Sequence, residues 1–353
     1  KYFDRITRPE QILQTLPQAI QTMLDPADCG PACISLSQDI QGETFEYPED
    51  FFIERVHNIR RPRPDDYQIK EAAEKIKKSK KPIIISGGGV FYSDAMENLS
   101  KFAIKHNIPV TQTVMGYSTI KKDHSHYAGQ IGGLGGKNTN NLAKETDLAI
   151  AVGTKLADFT TGSWANFENE NFKLVSINVS RFDANKHLAQ AVVGDAKVSL
   201  DELSLALGNW KAGDEWNNKS QKELHEWDKH IDKESAPTNQ EIPSYVQAVG
   251  AIYRNSDPTD IAVTAAGGLV GEVAQVWRPR ELNTHETEWG FSCMSYEISG
   301  ALGIKMANPE KDVISFVGDG SYLLNNTDIY SSVITKNKLI IIICDNGGFA
   351  VIN

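Results

Sequence analysis

The chain has 353 residues, of which 40% are hydrophobic and 23% charged, and its formal net charge at pH 7 is −10. This length predicts about two or three domains with buried cores, as in ordinary globular proteins. The negative net charge argues against a nucleic-acid-binding surface and against binding to anionic membranes.

The first segment, residues 1–45, contains one predicted helix followed by one predicted strand. Residues 9–25 have the apolar spacing of a helix, and residues 29–40 contain a short buried strand that ends in a polar loop. One such unit is too small for an independent domain. Residues 46–66, which carry several prolines and charges of both signs, are predicted to be a linker.

Residues 67–208 are predicted to form a complete Rossmann-like domain. Helical patterns at 67–81, 94–107 and 196–207 alternate with short apolar strands. This alternation is typical of an α/β fold with a doubly wound parallel sheet and helices on both faces. The predicted strands are residues 82–86, 108–113, 147–153, 172–178 and 190–195.

The rest of the chain is predicted to contain a polar helical linker, residues 209–240, and a second α/β domain, residues 241–353. The last residues directly follow a predicted strand, where a doubly wound sheet would continue. We therefore expect this domain to be truncated at its C-terminal end. Its predicted helices are 242–255, 294–307 and 325–336, and its predicted strands are 260–268, 312–320 and 338–346.

The cysteines bear on the cellular compartment. The four of them, at positions 29, 33, 293 and 344, include no Cys-x-x-Cys pair. This pattern favours neither a zinc site nor a disulfide framework, and it fits a reducing, cytoplasmic location. The longest apolar run, residues 339–344, is far too short to cross a bilayer.

A Gly-Asp-Gly sequence at 318–320 and an Asp-Asn-Gly-Gly sequence at 345–348 each follow a predicted strand, with 24 residues between them. That interval accommodates one crossover helix, so Asp319 and Asn346 are expected at the carboxyl ends of related parallel strands, where such sheets bind ligands. Their oxygens and a backbone carbonyl near Gly348 would suit Mg²⁺, which takes its other ligands from phosphate and water. The sequence therefore predicts a metal-bridged diphosphate site.

A simpler interpretation is that Asp319 caps the helix that follows it and that Asn346-Gly347 forms an ordinary turn. An isolated Gly-Asp-Gly sequence would favour that interpretation. The interval of 24 residues, the strand–helix–strand context and the glycines that end the motif favour the diphosphate site instead.

These two sequences resemble the signature of thiamine-diphosphate-dependent enzymes, in which Gly-Asp-Gly and a later Asn hold Mg²⁺ against the cofactor. Residues 288–321, EWGFSCMSYEISGALGIKMANPEKDVISFVGDGS, are similar to the preceding stretch in acetohydroxyacid synthase-like members of that superfamily. Residues 81–90 resemble part of their central domain, and residues 7–40 resemble the end of their pyrimidine-binding domain. One departure is Ser37, where the family usually has proline.

The resemblance implies roles for particular residues. Met294 corresponds to the bulky residue that wedges the cofactor into a bent conformation, and the Ser292 carbonyl and Met294 N–H would hold the aminopyrimidine. The implied metal ligands are Asp319, Asn346 and the Gly348 carbonyl. The other implied cofactor-binding residues are Ala266, Gly267, Gly268, Gly318, Gly320 and Ser321.

Residues 263–297 resemble the 3D-(3,5/4)-trihydroxycyclohexane-1,2-dione hydrolase family of inositol catabolism more than they resemble acetolactate synthases. The synthases have Gly-Phe-Gly-Leu-Pro where this chain has Ser295 to Ser299. The resemblance implies a thiamine-diphosphate- and Mg²⁺-dependent hydrolase that opens a cyclic dione to 5-deoxyglucuronate. Residues 154–164 lack the arginine-containing run of FAD-binding synthases, so no FAD is expected.

The family activates its cofactor with a glutamate early in the pyrimidine-binding domain, and no glutamate of this chain has that context. We therefore expect the chain to be part of a longer enzyme and to be inactive alone, and we assign no catalytic residue. Because one subunit's pyrimidine-binding domain covers the cofactor of another in this family, a homodimer or homotetramer is expected. The expected ligand is a small cyclic dione.

Three alternatives remain open. An acetolactate synthase-like 2-oxoacid lyase or carboligase is the nearest alternative. A nicotinamide-dependent oxidoreductase is suggested by the glycines at 87–89 and 129–136, although neither stretch fits the Gly-x-Gly-x-x-Gly fingerprint. A non-catalytic scaffold is a third, against which the intact Asp319, Asn346 and Met294 argue.

Three polar residues before Met294 are candidates for contact with the substrate: His285, Glu286 and Glu288. An ordinary surface loop would explain them equally well.

Overall fold

The structure, a computed structural model, describes residues 1–238 and 240–352. Its first unit is strand β1 (Tyr2–Ile6), helix α1 (Ile12–Leu24) and strand β2 (Ala32–Leu36). The two strands pair in parallel, with Tyr2 opposite Ala32. The sequence analysis missed β1, so the predicted αβ unit is in fact a βαβ unit.

The second unit is a six-stranded parallel sheet in the order β5-β4-β3-β6-β7-β8. Its strands are β3 (Pro82–Ser86), β4 (Val110–Gln112), β5 (Tyr127–Gln130), β6 (Leu148–Val152), β7 (Lys173–Asn178) and β8 (Gln190–Val193). Its helices are α2 (Asp66–Lys77), α3 (Gly89–Tyr92), α4 (Met96–His106), α5 (Lys137–Glu145), α6 (Asp158–Thr161), α7 (Arg181–Ala184) and α8 (Ala196–Leu207).

This sheet has a separate apolar core on each face, which explains the uninterrupted apolar letters of β3 and β6. Ile84 and Ile150 belong to one core, and Ile83 and Ala149 belong to the other. The predicted Rossmann-like architecture of parallel strands with helices on both faces is confirmed.

The long helix α9 (Asp214–Glu234) lies between the two α/β units. Leu224 packs in a core of the six-stranded sheet, and Ile231 packs in the core of the following unit. Farther along the chain, Arg278 returns to this helix and forms ion pairs with Asp228 at 3.1 Å and Asp232 at 2.5 Å. Helix α9 therefore contacts both units.

The third unit is a four-stranded parallel sheet in the order β10-β9-β11-β12. Its strands are β9 (Ile261–Thr264), β10 (His285–Thr287), β11 (Val313–Gly318) and β12 (Ile340–Cys344). Its helices are α10 (Tyr245–Asn255), α11 (Leu269–Val276), α12 (Tyr296–Ala307), α13 (Asp319–Leu324) and α14 (Asp328–Ile334).

Short 3₁₀ helices complete the described structure. They are Pro9–Gln11, Ile40–Gly42, Glu49–Phe52, Val114–Gly116 and Lys186–Leu188. Within residues 1–238 and 240–352, none of the helices combines the length and the apolar character that crossing a membrane requires.

Candidate cofactor site

The carboxyl ends of β11 and β12 bring the Gly-Asp-Gly and Asp-Asn-Gly-Gly sequences together. The strands are parallel neighbours, and Gly318 lies opposite Cys344. Asp319 therefore follows one strand at the same level at which residues 345–348 follow the other. The structure thus gives the two sequences the positions that their spacing predicts, while their roles as ligands stay predictions.

Asp319 carries an unusual carboxylate oxygen. Its Oδ1 atom is buried and has no hydrogen-bond partner among the described residues. A buried, unpaired carboxylate oxygen is costly, since it has lost its water without gaining a donor. A cation at this position would remove that cost, so the residue fits a metal ligand.

Asn346 is held in place by two hydrogen bonds. Its Nδ2 donates to the Tyr245 hydroxyl at 2.6 Å, and its Oδ1 accepts from the Gly348 N–H at 3.2 Å. An amide oxygen has two lone pairs, so one remains for a metal. Among residues 1–238 and 240–352, no cluster of three His, Cys, Asp or Glu side chains could hold a metal. The predicted ligand set does not need one, because it combines one carboxylate with amide and carbonyl oxygens.

A cavity of about 290 Å³ lies beside these residues. Ten of the eleven residues that the sequence analysis assigned to the cofactor line it. They are Ala266, Gly267, Gly268, Met294, Gly318, Asp319, Gly320, Ser321, Asn346 and Gly348. Ser292 is the exception, because it lines the larger cleft next to the six-stranded sheet.

Glycines at and next to the cavity have backbone conformations that favour residues without a Cβ atom. Gly267 and Gly348, which line the cavity, have φ angles of +82° and +145°, and Gly347, which precedes Gly348, has a φ angle of +76°. L side chains rarely adopt such angles. A Cβ atom built on any of the three would meet no atom within 4 Å, so it would extend into open space. The backbone at this cavity is thus exposed to an incoming ligand.

The last described residues also line the cavity, together with Tyr245. The ring of Phe349 lies against Gly320, where an added Cβ would come within 2.5 Å of it, and Val351 lies near Gly268. The sequence analysis assigned no role to these side chains, because neither their spacing nor their composition indicates a site.

Glu288 organises the loop that leads to Met294. Its two carboxylate oxygens accept hydrogen bonds from the Phe291 N–H at 2.9 Å and the Cys293 N–H at 2.5 Å. Burial would raise the pKa of Glu288, but these N–H donors outweigh burial and lower the pKa. Of the three polar candidates before Met294, Glu288 therefore has a structural role.

A buried glutamate that the sequence analysis gave no role connects three segments around the cavity. Glu297 is fully buried, and its carboxylate accepts from the Ala266 N–H at 3.2 Å and from the Ser321 hydroxyl at 3.1 Å. The Ser321 Oγ in turn accepts from the N–H of Ser295, which follows Met294 directly. An isolated charge in the otherwise apolar start of α12 is the sequence signal for such a residue.

The glycines at 87–89 and 129–136, which suggested a dinucleotide site, are explained by backbone packing. A Cβ on Gly89 would lie 2.6 Å from the Cα of Gly153, at the point where β3 and β6 end. A Cβ on Gly132 would collide with the Phe159 carbonyl. These contacts account for Gly89 and Gly132 without a nicotinamide cofactor.

Comparison with known protein families gives two matches that lie in the second and third units. The family described as "Thiamine pyrophosphate enzyme, central domain" matches residues 69–203. The family described as "Thiamine pyrophosphate enzyme, C-terminal TPP binding domain" matches residues 265–353.

Among curated proteins, several similar sequences carry the name 3D-(3,5/4)-trihydroxycyclohexane-1,2-dione hydrolase. The protein from Clostridium tetani (strain Massachusetts / E88) is 39% identical over 377 residues, and that from Clostridium botulinum (strain Alaska E43 / Type E3) is 40% identical over 376 residues. Both alignments cover 100% of this chain and 58% of the relative. The chain therefore spans less than two thirds of the length of these relatives.

Proposed function

The chain belongs to the thiamine pyrophosphate enzyme family, and from that premise we propose that it binds thiamine diphosphate with Mg²⁺ in the cavity at the ends of β11 and β12. The observation that carries the proposal is the buried Oδ1 of Asp319, which has no hydrogen-bond partner among the described residues and lies beside Asn346 and the glycine backbone. Asp319, Asn346 and the Gly348 carbonyl would hold the metal. Hard oxygen ligands of this kind suit Mg²⁺ that also binds phosphate.

The proposed reaction is hydrolysis of a C–C bond in 3D-(3,5/4)-trihydroxycyclohexane-1,2-dione, which yields 5-deoxyglucuronate in inositol catabolism. The names of the similar proteins support this substrate. When bound, thiamine diphosphate supplies the electron sink that C–C cleavage requires. The chain's own residues would position that cofactor. Met294 would contact it, Glu288 holds the loop before Met294, and Glu297 holds Ser321, which binds the N–H of Ser295.

An acetolactate synthase-like activity is the second candidate, since it uses the same cofactor and fold. The residues from Ser295 to Ser299 depart from the synthase sequence, and the curated relatives cited above are named as hydrolases.

The remaining parts of the proposal are a homodimer or homotetramer, a cytoplasmic location, and no requirement for FAD.

The first test is calorimetric titration of thiamine diphosphate into the intact protein, with and without Mg²⁺. We expect binding that depends on Mg²⁺ and that Asp319→Asn weakens about a hundredfold, equivalent to ~2.8 kcal/mol. The neutral amide would remove the charge that attracts the metal.

The matched control is Asp312→Asn, which changes an ion-paired aspartate just before β11, at the opposite end of that strand. It should leave the titration unchanged. Binding that is absent in the wild-type protein, or that does not need Mg²⁺, would contradict the proposal.

A further inference from the structure

A second, smaller cavity lies between the six-stranded and the four-stranded units, and we call it the β10 chamber. One wall consists of Asn283, His285, Glu286 and Thr287, in and next to the edge strand β10. The facing wall comes from helix α3 and from Val114 and Met115. Its volume is about 240 Å³, which is below the roughly 300–1,000 Å³ of sites for drug-sized ligands. It therefore suits a ligand of single-ring size.

The walls of the β10 chamber are fixed to one another. The Asn283 N–H donates to the Ser118 carbonyl, and the Thr284 N–H donates to the Ser118 hydroxyl, both at 3.2 Å. The rings of Tyr117 and His285 meet edge to face with their centroids 5.2 Å apart. Because both walls are tied in this way, the chamber is formed before any ligand arrives.

A buried imidazole in the wall of the chamber has an unused nitrogen. His285 is only 5% exposed, and its Nε2 has no hydrogen-bond partner in the described part of the chain. Burial lowers the pKa of His285 to about 4, so the ring is neutral at physiological pH and carries one donor and one acceptor nitrogen. A ligand group that can both donate and accept would complement it.

The charge of the β10 chamber argues against an anionic ligand. Of the residues described as lining it, none is a lysine or an arginine, whereas Glu286 is a carboxyl group whose pKa burial raises. A carboxylate or phosphate ligand would have no cation to pair with here and would meet Glu286. Hydroxyl groups would pair with Glu286, His285 and the Asn283 amide without that cost.

The chamber adjoins a larger cleft. Gly88, Tyr92, Val114 and Met115 line both the β10 chamber and the cleft of about 1330 Å³ that also contains Ser292. The two cavities are therefore neighbours.

We propose that the β10 chamber binds a neutral, hydroxyl-rich molecule of single-ring size, with Glu286 and the His285 Nε2 pairing with its hydroxyl groups. That this ligand is the ring of the substrate rests on the proposed function, but binding in the chamber does not.

The test measures the affinity of the intact protein for myo-inositol, a neutral ring polyol, and for pyruvate, an anion, by ligand-observed NMR. The variants are Glu286→Gln, which keeps the shape but removes the carboxylate, and His285→Phe, which removes the ring nitrogen. The matched control is Glu281→Gln, since Glu281 lies outside the chamber and pairs with Lys121. Thiamine diphosphate affinity and melting temperature are measured for every variant.

We expect the wild type and Glu281→Gln to bind myo-inositol equally and to prefer it over pyruvate. Glu286→Gln and His285→Phe should each weaken myo-inositol binding at least about tenfold, equivalent to ~1.4 kcal/mol, with thiamine diphosphate affinity unchanged. Equal binding by all four proteins, no binding by the wild type, or a preference for pyruvate would overturn the proposal. If the wild type bound myo-inositol as expected but did not bind thiamine diphosphate, the proposed function would be wrong and the proposal for the β10 chamber would be supported.

Discussion

The carboxylate of Glu297 has both of its oxygens committed to hydrogen bonds, one from the Ala266 N–H and one from the Ser321 hydroxyl. Because these donors belong to the loop after β9 and to helix α13, one side chain sets the distance between two walls of the candidate cofactor cavity. Burial raises the pKa of Glu297, which means that the protein stabilises the charged form less well than water does. The residue thus combines a positioning role with a cost in stability.

Replacement of Glu297 by glutamine should destabilise the fold by about 1–3 kcal/mol at pH 7, because the amide NH₂ group must face one of the two donors. Urea denaturation measures this change. The matched control is Glu310→Gln at an exposed position, which should shift stability by no more than about 0.5 kcal/mol. Equal effects of the two substitutions would contradict the positioning role.

The stability of the wild type and that of Glu297→Gln should also depend differently on pH. A carboxyl whose folded-state pKa lies above its ordinary value of 4.5 stabilises the fold fully below that value and loses this contribution as pH rises through the raised pKa. The stability difference between the wild type and Glu297→Gln should therefore increase as the pH falls toward 4.5. If the difference in the free energy of unfolding did not change with pH, the prediction would be wrong, because folding would change proton binding equally in the two proteins.

At the scale of single residues, the sequence predicted the parts of the site that follow strands and missed the parts that tertiary contacts supply. Asp319 and Asn346 were predictable because each directly follows a strand and their spacing allows one crossover. Tyr245, which holds the Asn346 amide, lies 101 residues away in the sequence, and no periodicity connects the two. The role of Glu297 likewise depends on the two segments that it joins, the loop after β9 and helix α13, which are far apart in the sequence.

Helix α9 is linked to the segment after α11 by the ion pairs of Arg278. The Arg278 side chain is 9% exposed, and its guanidinium contacts Asp228 and Asp232. Loss of hydrogen bonds between a buried guanidinium and carboxylates costs more than loss of an ion pair between two exposed side chains.

Replacement of Arg278 by methionine should therefore lower the free energy of unfolding by about 1–3 kcal/mol, because it removes the closest cation of Asp228 and leaves Lys122, at 3.7 Å, as the remaining partner. The matched control is Lys338→Met, which breaks the pair of Lys338 with Asp312, where the lysine side chain is 65% exposed. That substitution should cost about 0–1 kcal/mol. Denaturant unfolding of both variants checks the difference, and similar losses would rule out the proposed link.

At the scale of elements, strands with long apolar runs and helices with clear periodicity were predicted, as β3, β6 and α8 illustrate. The missed strands are β1, β5 and β10, whose sequences YFDRI, YAGQ and HET are short and contain polar residues or glycine. All three are edge strands, which need less apolar surface than central strands. Their pairing depends on neighbours that local patterns do not reveal.

On the scale of the whole molecule, the two larger α/β units have separate apolar cores, and among the described residues only those of the third unit line the candidate cofactor cavity. A multi-domain chain of this kind need not unfold in a single step. The domain boundaries at 45, 66, 208 and 240 stay predictions.

Scanning calorimetry of the intact protein should consequently show two transitions, of which thiamine diphosphate with Mg²⁺ raises only one. At 100 times its dissociation constant, a ligand stabilises the unit that binds it by about 2.7 kcal/mol. Either component added alone should have a smaller effect, because the metal and the diphosphate bind together. A single transition, or equal shifts of both, would mean that α9 couples the units into one cooperative whole.

The register between β11 and β12 also limits which mutations these two strands can tolerate. Ile314 lies opposite Ile340 and Gly318 opposite Cys344, so the carboxyl ends of the two strands lie side by side at the site. One inserted codon within β12 would turn each following side chain to the opposite face and direct Asn346 away from Asp319. Point substitutions are therefore the route open to these strands, whereas insertions and deletions belong in exposed turns such as Lys336–Lys338.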